Sequence, residues 1–441
     1  MRIPKTTTAV LMRYVFFLGA FSSNAQRNDA VIGVLPAVDA HSIKEDVRTL
    51  LAGHVIDPKT GTVLHDQTLV IKNGIITSIK DKNSNVPEGE LIDLSDAWLL
   101  PGLMDAHVHL TWNLDYARPN WNDSYVNEST AFRGLRGLNV AQQFLMAGFT
   151  TLKEIGNDLE YATADIIKAI DEGWFIGPEI QYAGKIIAPY GGQSGSMAHQ
   201  NKGFWEIDFI DADSKDELVK AIRQNQYFGA TTIKLVSDQY GYYYDEDDIK
   251  VAVQEAAKAN LKVTVHTMGG PAARAVVQGG AAGIEHGFDL DTELLELMEE
   301  QGTFLIGTDF SFANFKAYGN TEEEALVNES KMVARLQNAY RIGVKMAYGT
   351  DIVINLPDKD RVQSSFEVLQ TWKKAGIPAM YILKAMTSNA SELMGLQDRV
   401  GVLQVGYQAD IVAMYADPLE DIENIKNVRF VMKKGAVIKN D

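Results

Sequence analysis

The sequence predicts an α/β protein: a (β/α)8 TIM barrel carrying a small β-sandwich domain built from both termini. Three observations predict it. Strand-like runs alternate with helical ones eight times through the middle of the chain, which argues for a parallel sheet with crossover helices. Eight such units over about 290 residues match the usual length of that barrel. Both ends are instead rich in short β-type runs with tight turns, and 441 residues leave room for one barrel and one smaller unit.

At the start, Arg2, Lys5 and Arg13 precede the apolar run 14–21 and the small-residue stretch Ser23-Asn24-Ala25. That order is the order of a secretory signal peptide. The run is far shorter than the roughly 20 residues a membrane-spanning helix needs, so residues 1–25 are expected to be cleaved. A periplasmic or secreted protein without membrane insertion follows. The alternative is a cytoplasmic tail, with which Arg13 beside the apolar run is compatible.

From 48 to 100, β-type runs are separated by Asp57-Pro58-Lys59-Thr60-Gly61 and by Asn73-Gly74. Asn-Gly between apolar runs is a strong hairpin signal. Residues 410–415 and 428–433 read as strands, with Lys434-Gly435 as a turn, so the small domain is expected to combine 48–100 with 396–441. The barrel takes 101–395. Its strands are placed at 99–109, 150–155, 179–187, 231–236, 262–267, 283–286, 303–308 and 345–350. A helix is expected over 250–259 behind the acidic run Asp245-Glu246-Asp247-Asp248, which suits a helix dipole. Another, over 291–301, starts at a capping Asp291 and stops at Gly302.

Composition narrows the chemistry. The chain has no cysteine, which removes disulfides, thiolate metal sites and cysteine nucleophiles. Its net charge of −17 makes nucleic acid a poor partner. Eight histidines stand at 41, 54, 65, 107, 109, 199, 266 and 286. Four of them end barrel strands: His107 and His109 in Asp105-Ala106-His107-Val108-His109, His266 after Val263-Thr264-Val265, and His286 after Gly283-Ile284-Glu285. In a strand, side chains two apart share a face, so His107 and His109 point together. Asp351 follows Ala347-Tyr348-Gly349-Thr350 at the end of strand eight. TIM-barrel sites lie at the C-terminal ends of the strands, and imidazoles with a carboxylate suit zinc and similar metals. One His-x-His alone would be weak, but the joint arrival of five side chains at one mouth points to a metal centre. His41, His54 and His65 lack that context and read as surface or small-domain residues.

The run Leu100-Pro101-Gly102-Leu103-Met104-Asp105-Ala106-His107-Val108-His109 resembles the signature of the amidohydrolase superfamily. Together with the split β domain and the closing Ala409-Asp410-Ile411-Val412, the resemblance extends from about residue 48 to the C-terminus. It is most similar to the imidazolonepropionase-like and Xaa-Pro dipeptidase-like (peptidase M38-type) group. The resemblance implies two divalent metal ions, zinc as the expected metal, held by His107, His109, His266, His286 and Asp351 and bridged by a carboxylated lysine on strand four, here Lys234. A lysine on an apolar strand is costly to bury charged, and its neutral amine can take up carbon dioxide to form a carbamate. Without the histidines, a snorkelling or paired lysine would be the simpler reading.

The implied reaction is attack of hydroxide on the carbonyl carbon of an amide in a small peptide or N-acyl amino acid. Asp351 would take the proton and pass it to the leaving nitrogen. Tyr240, six residues past Lys234, could donate to the developing oxyanion, although Tyr242, Tyr243 and Tyr244 stand close by and mouth tyrosines often only pack. A hydrolase of a cyclic amide, ester, lactone or phosphotriester would use the same centre. A one-metal deaminase of the superfamily would lack the strand-four lysine.

The candidate substrate-facing residues are Gln193, His199, Tyr242 and Trp112. Gln193 stands in Tyr190-Gly191-Gly192-Gln193, where similar chains carry Gly-Gly-His, and it can hydrogen-bond but not carry charge. Trp112, Tyr116, Trp121 and Tyr125 crowd the loop after strand one and would favour an apolar or aromatic group. The expected partner is a small molecule or peptide; a homo-oligomer is left open.

Overall fold

The computed structural model describes residues 46–81, 88–116, 123–156, 159–193, 198–239 and 241–441. The expected leader, Trp121 and Tyr240 lie outside the described residues. The fold is mixed α/β. Its first four strands are β1 (Val47–Asp57), β2 (Thr62–Lys72), β3 (Ile75–Asp81) and β4 (Glu90–Pro101). The turn between β2 and β3 is Asn73-Gly74, with φ of 50° and 81°, the left-handed pair that a type I′ hairpin requires.

After Gly102 the chain enters β5 (Leu103–Val108), β6 (Phe149–Glu154), β7 (Glu179–Tyr182), β8 (Ile186–Ala188), β9 (Phe209–Asp211) and β10 (Ile233–Val236). A two-residue hairpin, β11 (Asp238–Gln239) and β12 (Tyr242–Tyr243), separates these from β13 (Val263–Gly269), β14 (Gly283–Asp289) and β15 (Phe304–Ile306). The chain closes with β16 (Ile411–Met414), β17 (Phe430–Lys433) and β18 (Ala436–Asn440). One seven-stranded sheet, ordered β18-β17-β16-β4-β1-β2-β3, therefore draws on both ends of the chain. Leu50, Leu69, Ile92, Leu99, Ile411 and Phe430 form a core of their own there.

The parallel strands form two sheets, β5-β6-β7 and β15-β14-β13-β10-β8-β9. Segment 345–351 runs between their far edges. Lys345 O and Ala347 N bond Leu305, Tyr348 O accepts from Ala106 N, and Asp351 N donates to His107 O at 2.9 Å. This segment carries no regular strand beyond the single Leu305↔Met346 bridge. Two other boundaries differ from expectation. The run 99–109 is split at Gly102, because 99–101 pair with β16. The run 179–187 breaks at 183–185, so that β7 pairs with β6 while β8 pairs with β9 and β10.

The helices follow their caps. Glu246–Ala257 begins four residues earlier than expected, because Asp245 and Asp248 form a reciprocal capping box and the acidic run is itself the first turn. Thr292–Gln301 is capped by Asp291 and ends at left-handed Gly302, as expected.

Candidate metal centre

His107 and His109 leave β5 toward the same point, and Asp351 meets them from segment 345–351. Asp351 Oδ1 lies 3.4 Å from His107 Nε2 and 3.3 Å from His109 Nε2. His286, on β14, places Nδ1 3.7 Å from Asp351 Oδ2. The His286 ring is centred 5.0 Å from that of His107 and 4.5 Å from that of His266 on β13. Lys234 stands on β10, buried and directly beside Thr264 in register. His107, Lys234, His266 and His286 thus lie on parallel strands, His109 directly follows β5 and Asp351 ends segment 345–351, and His107, His109 and Asp351 are close enough to hold one ion.

The tautomers fit a metal. His107 Nδ1 donates to Glu285 Oε2 at 2.8 Å, and His109 Nδ1 donates to the Gly156 carbonyl at 2.7 Å. Each ring then presents Nε2, without its proton, toward Asp351. His107 Nε2 is fully buried and has no hydrogen-bond partner among the described residues. A buried acceptor left open in this way is what a cation would satisfy.

Electrostatics agree with that reading. Burial pulls the Lys234 ammonium down to about 8, with Glu285 and Asp351 opposing the shift. A neutral amine is therefore accessible near pH 7, as carbamate formation needs. Burial, helped by Lys234, lowers His266 to about 3 and holds His286 well below its ordinary value. Burial alone would raise Asp351; the facing imidazoles outweigh it only in their protonated form, and a cation at the same point would act in the same direction.

Several residues that hold the ligands carry no sequence signal. Glu285 bridges His107 to the buried Lys153, whose Nζ lies 3.0 Å from Glu285 Oε1 and 2.8 Å from Thr264 Oγ1. Asp105 accepts from the His107 and Thr350 amides at 3.0 and 3.1 Å and from Thr350 Oγ1 at 2.7 Å. Thr308 hydroxyl meets His286 Nδ1 at 2.9 Å. Arg335 donates to the carbonyls of His286, Gly287 and Gly307 and pairs with Asp309. His286, Thr308 and Asp351 have φ of 69°, 44° and 53°. A left-handed residue other than glycine costs about 1–2 kcal/mol, and such strain gathers at functional sites. At Gly349 a Cβ would stand 2.8 Å from His107 Cβ and 2.4 Å from Ile306 Cγ2, so only glycine lets segment 345–351 pass this close.

The substrate-facing candidates separate. Gln193 reaches the centre, with Nε2 2.9 Å from His266 Nδ1. His199 is exposed at the start of a 3-10 turn, and Tyr242 is 75% exposed on the β11–β12 hairpin. Trp112 is 3% exposed, packed among Leu114, Val353 and Ile354 with the Arg133 guanidinium 4.7 Å above its ring. That is the setting of a packing residue. The aromatic rings near the ligands are instead Phe288, half-buried with its ring 5.8 Å from that of His286, and Phe310, half-buried behind it.

These side chains gather as a cluster of imidazoles and a carboxylate that could hold a metal ion. The chain belongs to the Amidohydrolase family, whose model matches residues 98–438. It is 29% identical to the ochratoxinase of Aspergillus niger over 446 aligned residues, 92% of this chain and 89% of that enzyme. Among solved structures it is similar to a Xaa-Pro dipeptidase with methionine bound in its active site, at 26% identity and a TM-score of 0.79, covering 89% of this chain and all of the other. The crystal structure of the Aspergillus niger ochratoxinase shares the fold, with a TM-score of 0.77 at 24% identity over 90% of this chain and 96% of that one.

Proposed function

We propose that the chain is a metal-dependent amidohydrolase that cleaves the C–N bond of a small peptide or N-acyl amino acid, in the manner of a dipeptidase or carboxypeptidase. The observation that carries the reading is the convergence of His107, His109, His266, His286 and Asp351 around buried Lys234. On this reading the two parallel sheets and segment 345–351 close a (β/α)8 barrel over 101–395, with 48–100 and 396–441 as a composite β-sandwich.

His107, His109, His266, His286, Asp351 and carboxylated Lys234 would hold two divalent ions, zinc as the proposed metal, which would supply Lewis acidity and an activated water at neutral pH. The protein's own groups do the rest. Asp351 accepts the proton released at attack and returns it to the departing nitrogen. Glu285 and Gly156 fix the His107 and His109 tautomers. Gln193 offers an uncharged hydrogen bond beside His266, and Phe288 and Phe310 offer an apolar wall. A substrate with an apolar or aromatic part is favoured over a Lys- or Arg-ended peptide, a preference in keeping with the amide-cleaving relatives. Export, with cleavage near Ala25, is also proposed; N-terminal sequencing of the protein from its native host checks it.

The decisive experiment is elemental analysis with peptide kinetics. Close to two metals per chain are expected, and Lys234→Ala should lose at least one; a variant keeping both overturns the bridge. Higher kcat/KM for Lys- or Arg-ended peptides than for their Phe, Leu or Pro counterparts overturns the pocket reading.

A further inference from the structure

A second cavity, of about 610 Å³, lies at the opposite ends of the same strands. Its wall includes Lys262, one residue before β13, and Lys345, at the start of segment 345–351. His266 stands four residues further along, about 13 Å at the usual rise of a strand, so this cavity is separate from the metal centre. Lys384 and Ser388 come from the helical region after segment 345–351, and Lys59 comes from the β1–β2 turn of the seven-stranded sheet.

The charge here runs against that of the whole chain. Among the lining residues four ammonium groups face a single carboxylate, Glu392, in a protein of net charge −17. Glu392 is already engaged twice, by Lys345 through its side chain and by Lys262 through its carbonyl at 2.6 Å. Lys59 and Lys384 have no ion-pair partner among the described residues. Like charges gathered around a cavity repel one another. An anion seated among them relieves that repulsion.

We propose that this cavity is a binding site for a small organic phosphate, held by Lys59, Lys262, Lys345 and Lys384. Lysines act as point charges and suit a phosphate, whose oxygens spread charge in several directions. The volume exceeds that of a bare phosphate and falls in the range of small-molecule pockets, so the ligand carries an organic part. Because Lys59 belongs to the seven-stranded sheet and the other three lysines to the parallel-strand region, the ligand would tie the two together. It would stabilise the folded chain by mass action.

The test uses the full chain at constant ionic strength, with glucose 6-phosphate as probe, glucose as neutral control and inorganic phosphate for comparison. Thermal unfolding and calorimetric titration are followed in wild type and in Lys59→Gln/Lys384→Gln. Saturable binding and a rise in Tm are expected with glucose 6-phosphate and not with glucose. Affinity should fall about tenfold or more in the double variant, or about 1.4 kcal/mol, with metal content unchanged. Phosphate held at the metal centre would bind both proteins equally. Equal binding to the two proteins, or no saturable binding to wild type, overturns the proposal.

Discussion

Replacing Arg335 by Met tests how the strained end of β14 is held. The guanidinium is 4% exposed, donates to the carbonyls of His286, Gly287 and Gly307, and pairs with Asp309, itself 1% exposed. Burial disfavours the charged form of each partner, lowering Arg335 and raising Asp309, so the pair is an expensive way to gain stability alone. Removing one partner of a buried pair costs about 3–5 kcal/mol. Each carbonyl left without its donor adds about 1 kcal/mol or more. Relaxation of His286 and Thr308 out of the left-handed region would return about 1–2 kcal/mol apiece. We expect a net loss of roughly 3 kcal/mol, read as a lower urea midpoint. The same relaxation moves the His286 imidazole, and a displacement near 1 Å can cost about 10²-fold in rate. The double variant Arg335→Met/Asp309→Leu separates the two effects: it removes the orphaned carboxylate and should regain much of the stability, while metal retention during dialysis against a weak chelator stays impaired. An Arg335→Met protein with wild-type stability and metal retention would refute the reasoning, as would a double variant that recovers both.

Glu285→Gln leaves Lys153 buried beside a neutral amide and weakens the grip on His107 Nδ1; metal affinity should fall about 10–100-fold, measured by competition with a chelating dye. Asp351→Asn should retain much of the metal while turnover drops by about 10² or more, and near-normal turnover in the metal-loaded variant would exclude proton transfer by Asp351. Glu179 gives a pH dependence. Burial would raise its pKa, but the Arg399 hydrogen bonds and nearby Lys433 prevail and lower it below 4.5. Its stabilisation is therefore present above pH 4.5 and lost as pH falls through the folded-state value. Glu179→Gln should cost about 1 kcal/mol at pH 7, given the exposure of Arg399, and the gap from wild type in unfolding scans should close below pH 4.5.

The clustering of His107, His109, His266, His286 and Asp351 was legible because each ends an apolar run of strand type, and a strand's period of two fixes the face on which His107 and His109 stand. The two hairpin turns were legible for a similar reason. Asn73-Gly74 and Lys434-Gly435 both adopt paired positive φ values, 50° with 81° and 48° with 79°. Aromatic residues of the mouth were not legible in this way. Trp112 and Tyr242 both read as substrate-facing, yet one is packed beneath Arg133 and the other projects into solvent. A loop has no period from which to tell inside from outside, and loop composition is the same in both cases. The strand at 209–211 escaped notice because three residues are too few to show alternation.

The supports of the centre were hidden for a different reason: their contacts join residues far apart in the chain. Glu285 meets His107 across 178 positions, Asp105 meets Thr350 across 245, and Arg361 reaches the His109 carbonyl across 252. No local pattern encodes such a pairing. These contacts nevertheless coincide with the strained backbone. Thr350, bound by Asp105, immediately precedes left-handed Asp351, and Arg335 bonds the carbonyl of left-handed His286 itself. Asp and His tolerate this region better than most residues, so both ligands can occupy it once the neighbouring backbone is fixed. Strain of this kind persists only where surrounding bonds over-determine it. Long-range hydrogen bonding is therefore the means by which separate strands deliver His107, His109, His286 and Asp351 to one point. Substitutions at Asp105, Glu285 or Arg335 should act first on where the ligands stand, and on the chemistry only through that.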